Sequence, residues 1–94
     1  MEIRYDLDPE TGLPHLHDHG VTEADVEWVL RRVGEEGPSS GGSRQVVGQT
    51  EGGRYLRVVH VPDEGGDGVF VVTAYPLGDR EVRAYRRRKR RRGR

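Results

Sequence analysis

Residues 44–75 read RQVVGQT EGG RYLRVVHV PDEGGDG VFVVTAY, and this stretch decides the fold class. Three runs rich in β-branched and aromatic residues, at 44–50, 54–61 and 69–75, are separated by glycine-rich connections of the hairpin type. The pattern predicts three sequential antiparallel strands. The third run is apolar on both of its alternating faces, which indicates a central strand covered on both sides for part of its length.

Upstream of these strands the sequence predicts one further strand and one helix. Residues 2–7 alternate polar and apolar side chains and stop at a cluster of turn formers. Thr22 is a typical helix N-cap, and Asp25 completes an approximate capping box with it. Gly34 supplies the C-terminal stop. The apolar stripe of this helix consists of Val26, Val29, Leu30 and Val33.

The remaining segments are polar or basic. Residues 34–43 contain four glycines and nothing to bury, so we expect a mobile connection. Asp79 can cap a final helix that begins at Arg80, and beyond Tyr85 no apolar residue follows. The sequence therefore predicts a single α+β domain over residues 1–85 and a basic C-terminal tail over 86–94. The domain is expected to contain an N-terminal strand and helix, an antiparallel sheet of about four strands and a basic C-terminal helix.

Composition restricts the function classes. The 94 residues carry no formal net charge, but residues 1–79 hold 6 basic and 15 acidic side chains, whereas 80–94 hold 10 basic and 1 acidic. Such a basic end indicates contact with a polyanion. The lack of cysteine excludes disulfides, thiolate metal sites and thiol nucleophiles. No apolar run approaches the length of a membrane span, so we expect a soluble, cytoplasmic protein with no membrane partner.

Three short motifs carry a family resemblance. They are HGVTEADV at residues 19–26, GRYLRVV at 53–59, and Thr73-Ala74 followed by Glu81 and Tyr85. In this order they resemble the RelE/ParE superfamily of small bacterial toxins, and in particular the BrnT-type ribonuclease toxins. The resemblance implies a RelE/ParE-like fold, cleavage of mRNA without a cofactor, and a partner antitoxin that neutralises the toxin.

One departure from the BrnT-type pattern affects the site. That pattern places an arginine directly after the Ser/Thr-Ala pair, whereas here Tyr75 and Pro76 follow Ala74. The role of that arginine therefore cannot be assigned to a residue of this chain.

Metal-free cleavage of RNA needs a base for the 2′-hydroxyl, an acid for the leaving oxygen and cations for the phosphate. Arg54 and His60 fall on the same alternation set of one strand, so they are predicted to share a face, and Tyr75 ends the next strand. We predict His60 as the general base, Arg54 as the phosphate clamp, Tyr75 as a further catalytic residue and His19 as a lesser candidate. The alternative is that His60 is a half-buried strand residue satisfied by hydrogen bonds, with Arg54 and Arg57 as outward charges.

Basic residues of the last strands and the C-terminal helix are predicted to contact RNA or the ribosome. No aromatic residue lies within 86–94, so this segment can neutralise phosphates but cannot select bases. A solvated tail, or contact with the chain's own acidic body, is the alternative. The predicted RNA contacts are Arg57, Arg80, Arg83, Tyr85, Arg86, Arg87, Arg88 and Lys89.

His15, His17 and His19 would project to one side of an extended segment and could then bind a divalent metal. Their order differs from the H-x-H-x-D-H order of zinc-dependent hydrolases, and we expect no metal and no cofactor. His19 is expected to fix the turn into the helix.

Trp28 lies opposite the apolar stripe of its helix. It is expected either to pack under residues 9–18 or to anchor a partner, such as an antitoxin or a second copy of the chain.

Two other functions fit the same sequence. A non-catalytic RNA- or ribosome-binding protein would depend mainly on residues 86–94 for affinity. A ParE-like inhibitor of a topoisomerase would cause DNA damage without loss of RNA.

Overall fold

The chain forms a five-stranded sheet with one helix on each face, in a computed structural model that describes residues 2–32, 34–63 and 67–92. The α+β class is confirmed. In chain order the elements are β1 (Glu2–Tyr5), a 3-10 helix (His15–His19), α1 (Glu23–Leu30), β2 (Glu35–Pro38), a 3-10 turn (Ser40–Gly42), β3 (Arg44–Gln49), β4 (Tyr55–Pro62), β5 (Gly68–Pro76) and α2 (Asp79–Arg92).

The strand order is β1-β5-β4-β3-β2. The predicted meander of β3, β4 and β5 is antiparallel, as expected. The prediction of about four antiparallel strands is corrected, because the sheet has five strands and is mixed: β1 runs parallel to β5, with Ile3 opposite Val69. Parallel pairing requires a long connection, and here most of the chain separates the two strands. β5 is an inner strand, but Val72 remains 36% exposed, so it is not covered on both faces at that point.

Residues 34–43, expected to form a mobile connection, contain the edge strand β2 and the 3-10 turn. Glu36 lies opposite Val46 in an antiparallel pairing with β3. An edge strand of this kind is held by backbone hydrogen bonds and needs no apolar side chain, and Pro38 is tolerated because one side of the strand has no neighbour.

The capping box of α1 is complete. The Asp25 N–H donates to Thr22 Oγ1 over 3.2 Å, and the Thr22 N–H donates to Asp25 Oδ2 over 3.1 Å. The helix ends at Leu30, earlier than the stop predicted at Gly34. Val33, the last member of the predicted stripe, lies outside the described residues.

The core lies between α1, the first 3-10 helix and one face of the sheet. Val26 and Val29 of α1 pack toward Leu56 and Val58 of β4 in a cluster whose members are almost fully buried. Gly48 of β3 allows the close approach of α1, since a Cβ at this position would lie 3.1 Å from Val29 Cγ1. The other buried apolar members of the cluster are Leu16, Val21, Val46, Val71 and Ala74.

The second helix covers part of the opposite face. Tyr55 and Arg57 alternate with the core residues of β4, and they contact Tyr85 and Glu81 of α2. The expectation that the chain frays after Tyr85 is corrected, because α2 continues without a break to Arg92. Its second half is tied to β2, where Arg88 Nε donates to a carboxylate oxygen of Glu35 over 2.7 Å. Among the described residues, neither helix is long and apolar enough to span a membrane.

Candidate functional site

Three of the four predicted catalytic residues lie at the same end of the sheet, where β3 turns into β4 and β5 leads into α2. Arg54 Nη1 donates to the backbone carbonyl of Gly20 over 2.7 Å, directly after His19. The His19 ring stands edge-on to the Tyr75 ring, with 6.0 Å between the centroids. Residues 19 and 20 thus contact both Arg54 and Tyr75, and they bring these side chains to one place.

His19 reaches this position because residues 15–19 form a 3-10 helix and not an extended segment. Leu16 anchors that helix in the core with 1% exposure. Gly20 ends it with φ of +71°, a conformation that favours glycine, and its N–H donates to the His17 carbonyl over 3.1 Å. The turn holds the exposed imidazole of His19 beside the last part of β5, which extends beyond the pairing of β5 with β1.

Arg57 joins this end of the sheet to α2. Its Nη2 donates to Glu81 Oε2 over 2.6 Å, and its guanidinium carbon lies 5.9 Å from the centroid of the Tyr75 ring. The Glu81 carboxylate also accepts the Gly78 N–H over 3.3 Å. The backbone N–H of Gly78, followed by Arg57, lowers the pKa of Glu81 below its usual value, so the carboxylate is charged near neutral pH. We call His19, Arg54, Arg57, Tyr75 and Glu81 the sheet-end cluster.

His60, the predicted general base, is not part of this cluster. It shares the α1 face of the sheet with Leu56 and Val58, but six residues at about 3.3 Å each separate it from Arg54 by about 20 Å along the strand. A single phosphodiester group cannot contact both side chains at that distance.

The surroundings of His60 disfavour its charged form. Burial is the main cause of a lowered pKa at His60, Arg44 lowers it further, and Glu36 opposes the shift. His60 is half-buried, as the alternative prediction has it. Its buried Nδ1, however, has no hydrogen-bond partner among the described residues, so hydrogen bonds do not fully satisfy the ring.

The histidines predicted as an alternative metal site are directed to different partners. His17 Nε2 lies 2.5 Å from Glu23 Oε1, and His15 Nε2 lies 3.6 Å from Asp6 Oδ2. The 3-10 geometry instead places His15 on the same side as Asp18, one turn apart. Within the described ranges, the donor atoms of Asp8, His15 and Asp18 lie within 4.8 Å of one another and form the one group with metal-ligand spacing.

The predicted RNA contacts on α2 divide into exposed cations and structural residues. Tyr85 is 3% exposed and packs edge-on against Tyr55 with 5.9 Å between centroids, so it anchors the helix and offers little surface to RNA. Arg88 is engaged by Glu35. A shallow groove on the outer side of α2 is lined by Arg83, Arg86, Arg87 and Arg90. Arg80 and Lys89 are also exposed.

Trp28 lines a cleft that α1 and α2 both border at the edge of the sheet, where β3 extends beyond its pairing with β2, and not a space under residues 9–18. The first 3-10 helix packs on β5, whereas the flank of α1 that carries Trp28 faces β3. The Arg32 guanidinium carbon lies 3.2 Å from the centroid of the Trp28 indole. We call this space, which Gly34, Gly48 and Lys89 also line, the α1–α2 cleft.

Sequence reasoning missed the part that Glu81 plays in the site. The sequence contains two indications of this role: Glu81 is the third residue of α2, and it belongs to one of the three motifs. Its partner Arg57 could not be identified without knowing that α2 crosses the face of β4.

No protein family, curated protein or solved structure matches this chain.

Proposed function

We propose that the chain binds single-stranded RNA along α2 and cleaves it, without a metal ion, at the sheet-end cluster. The observation that carries the proposal is the meeting of His19, Tyr75 and two arginines beside the start of a basic helix. These groups supply proton transfer and positive charge, which are the requirements of metal-free phosphodiester cleavage. The resemblance of the three sequence motifs to BrnT-type toxins supports the same activity.

In the proposed reaction, His19 removes the proton of a 2′-hydroxyl group. The 2′ oxygen forms a bond to phosphorus, and the bond from phosphorus to the 5′ oxygen breaks as that oxygen takes a proton. Tyr75 is the proposed donor of that proton, and the proximity of its ring to both His19 and Arg57 supports this role. The products are a 2′,3′-cyclic phosphate and a free 5′-hydroxyl end.

Arg54 and Arg57 stabilise the negative charge that develops on the phosphate. Arg54 donates to Gly20 and lies 4.0 Å from Asp25 Oδ2, and Arg57 donates to Glu81; apart from the buried Nε of Arg57, each guanidinium has further N–H donors. The side chains are 45% and 24% exposed, so both remain accessible to a ligand. Fixing the two guanidinium groups in advance reduces the reorganisation needed during the reaction.

Under this proposal the protein acts as a toxin, and a partner antitoxin neutralises it. The proposal is tested by controlled expression in a bacterial host, with growth and total RNA integrity as readouts. We expect the wild-type chain to arrest growth and degrade RNA, and a His19→Ala, Tyr75→Phe double variant to do neither. His60→Ala is the matched control and is expected to remain toxic. Intact RNA in cells that express soluble wild-type protein would contradict the proposal.

The second candidate is a non-catalytic RNA- or ribosome-binding protein. The groove of four arginines on the outer side of α2 favours it, because this surface can bind phosphates without any contribution from the cluster. Tight RNA binding by wild-type protein that leaves the RNA uncut would favour this candidate.

A further inference from the structure

The α1–α2 cleft is separate from the sheet-end cluster and has a volume of about 250 Å³. Trp28 of α1 and Arg32, which follows the end of α1, line one side, and Lys89 and the almost fully buried Tyr85 of α2 line the other. Gly34 and Gly48 also line the cleft and contribute only backbone atoms. The cleft thus combines aromatic rings, exposed cations, backbone groups and the side chains of Val29, Gln49 and Thr50.

We propose that the α1–α2 cleft binds one unpaired nucleotide of the RNA. This inference rests on the proposed RNA binding and adds a contact to a base, which the basic helix alone cannot provide.

The Arg32–Trp28 pair forms a platform for the base. With 3.2 Å between the guanidinium carbon and the ring centroid, the two groups are stacked. Unstacked RNA bases bind by stacking on aromatic rings and on arginine guanidinium planes. The stack therefore presents the kind of flat, cationic surface on which a base can lie.

The charges of the cleft favour the phosphate of the same nucleotide. Arg32 and Lys89 are exposed, and no described lining residue carries a carboxylate. Glu35 follows Gly34 in sequence, but its carboxylate accepts a hydrogen bond from Arg88. An anionic aromatic ligand is therefore preferred over a cationic or purely apolar one.

Size and position fit a nucleotide within a longer strand. A volume of about 250 Å³ is slightly below the range of pockets for drug-sized ligands, about 300–1,000 Å³. Glu81, Tyr85 and Lys89 follow one another at four-residue intervals on one side of α2, so the cleft lies about 12 Å along the helix from the cluster. At about 3.4 Å per stacked nucleotide, three or four nucleotides span this distance. One RNA strand can therefore contact the α1–α2 cleft and the sheet-end cluster at the same time.

Intrinsic tryptophan fluorescence monitors this cleft without a label, because Trp28 is the only tryptophan of the chain. The experiment titrates the full chain with AMP, UMP, inorganic phosphate and a labelled single-stranded RNA. Trp28 emission measures occupation of the cleft, and the anisotropy of the label measures RNA binding independently. We expect saturable quenching by the nucleotides and the RNA, with phosphate binding at least tenfold more weakly than AMP.

Charge-removing variants identify where binding occurs. Arg32→Gln and Lys89→Gln are each expected to weaken AMP binding by about fivefold or more, as for the loss of a charge-assisted contact. Arg44→Gln removes the same charge from an exposed position at the far end of β3 and is expected to leave AMP binding unchanged.

Each contrary outcome has a distinct meaning. RNA binding seen by anisotropy without any change in Trp28 emission would overturn the nucleotide cleft and leave the proposed function standing. Equal binding of phosphate and AMP would overturn it in favour of a simple anion site. Trp28 emission that depends on protein concentration without ligand would overturn it in favour of a second copy of the chain. Absence of RNA binding, even with quenching by AMP, would overturn both the proposed function and the placement of an RNA nucleotide in the cleft.

Discussion

The guanidinium of Arg57 donates to the carboxylate of Glu81 over 2.6 Å, and this contact ties the middle strand of the sheet to the first turn of α2. Because Arg57 also borders Tyr75, the position of the basic helix and the geometry of the candidate site depend on the same side chain. Binding of RNA along α2 and chemistry at the sheet end are therefore linked by one ion pair.

The first prediction concerns the pH dependence of stability. The lowered pKa of Glu81 means that its carboxylate stabilises the folded state when charged. This stabilisation is fully present above the ordinary pKa of 4.5 and is lost as the pH falls through the lower folded-state value. Glu81→Gln should therefore reduce the free energy of unfolding at pH 7, and the difference from wild type should shrink toward pH 3. Urea unfolding at several pH values measures this difference in the free energy of unfolding. A difference that stays constant with pH would mean that the charge of Glu81 does not stabilise the folded state.

The second prediction separates the hydroxyl of Tyr75 from its ring. Tyr75→Phe keeps the ring that borders His19 and Arg57 but removes the proposed proton donor. We expect RNA cleavage to slow by about 100-fold, as for the loss of a general acid, with little change in melting temperature. Retention of full cleavage activity would show that another group protonates the leaving oxygen.

The third prediction concerns salt. Binding of single-stranded RNA should weaken with salt, with a slope of log affinity against log salt of about −0.7 per phosphate contacted. Arg87→Gln removes one cation from the groove on α2 and should make that slope shallower by about 0.7. Arg4→Gln is the matched control, because Arg4 is exposed and lies in β1, at the opposite edge of the sheet from β2. An equal change of slope in both variants would place the RNA elsewhere.

The fourth prediction tests the start of α1. Thr22→Ala removes the hydroxyl that accepts the Asp25 N–H, and it should reduce the free energy of unfolding by about 1 kcal/mol. Thr22→Ser retains the acceptor and should restore most of the loss. Thermal or urea unfolding measures both variants, and identical losses would show that the cap is not the cause.

The parts of the fold predicted from sequence are those with local causes. The Thr22–Asp25 capping box and the alternating runs of β3, β4 and β5 depend on neighbours within a few residues, and they were predicted correctly. β2 was not predicted, since an edge strand leaves no apolar pattern. The parallel pairing of β1 with β5 joins residues more than 60 positions apart, and no local signal encodes it.

The candidate site shows the same division. Alternation predicts that Arg54 and His60 share a face, but Arg54 precedes β4, and alternation gives no measure of the distance between two residues. The approach of His19 to Tyr75 depends on how Leu16 seats the 3-10 helix against β5, which is a property of tertiary packing. The sequence therefore supplied most members of the cluster but not their grouping.

The location of the site is tested most directly by the cleavage rate of an end-labelled single-stranded RNA in excess EDTA, compared between His19→Ala, His60→Ala and wild type. We expect His19→Ala to lower the rate by at least about 100-fold, as for the loss of a general base, while His60→Ala cleaves as fast as wild type. Substitution of 2′-deoxynucleotides in the substrate should prevent cleavage by all three proteins. Loss of cleavage in His60→Ala with retention in His19→Ala would contradict the account.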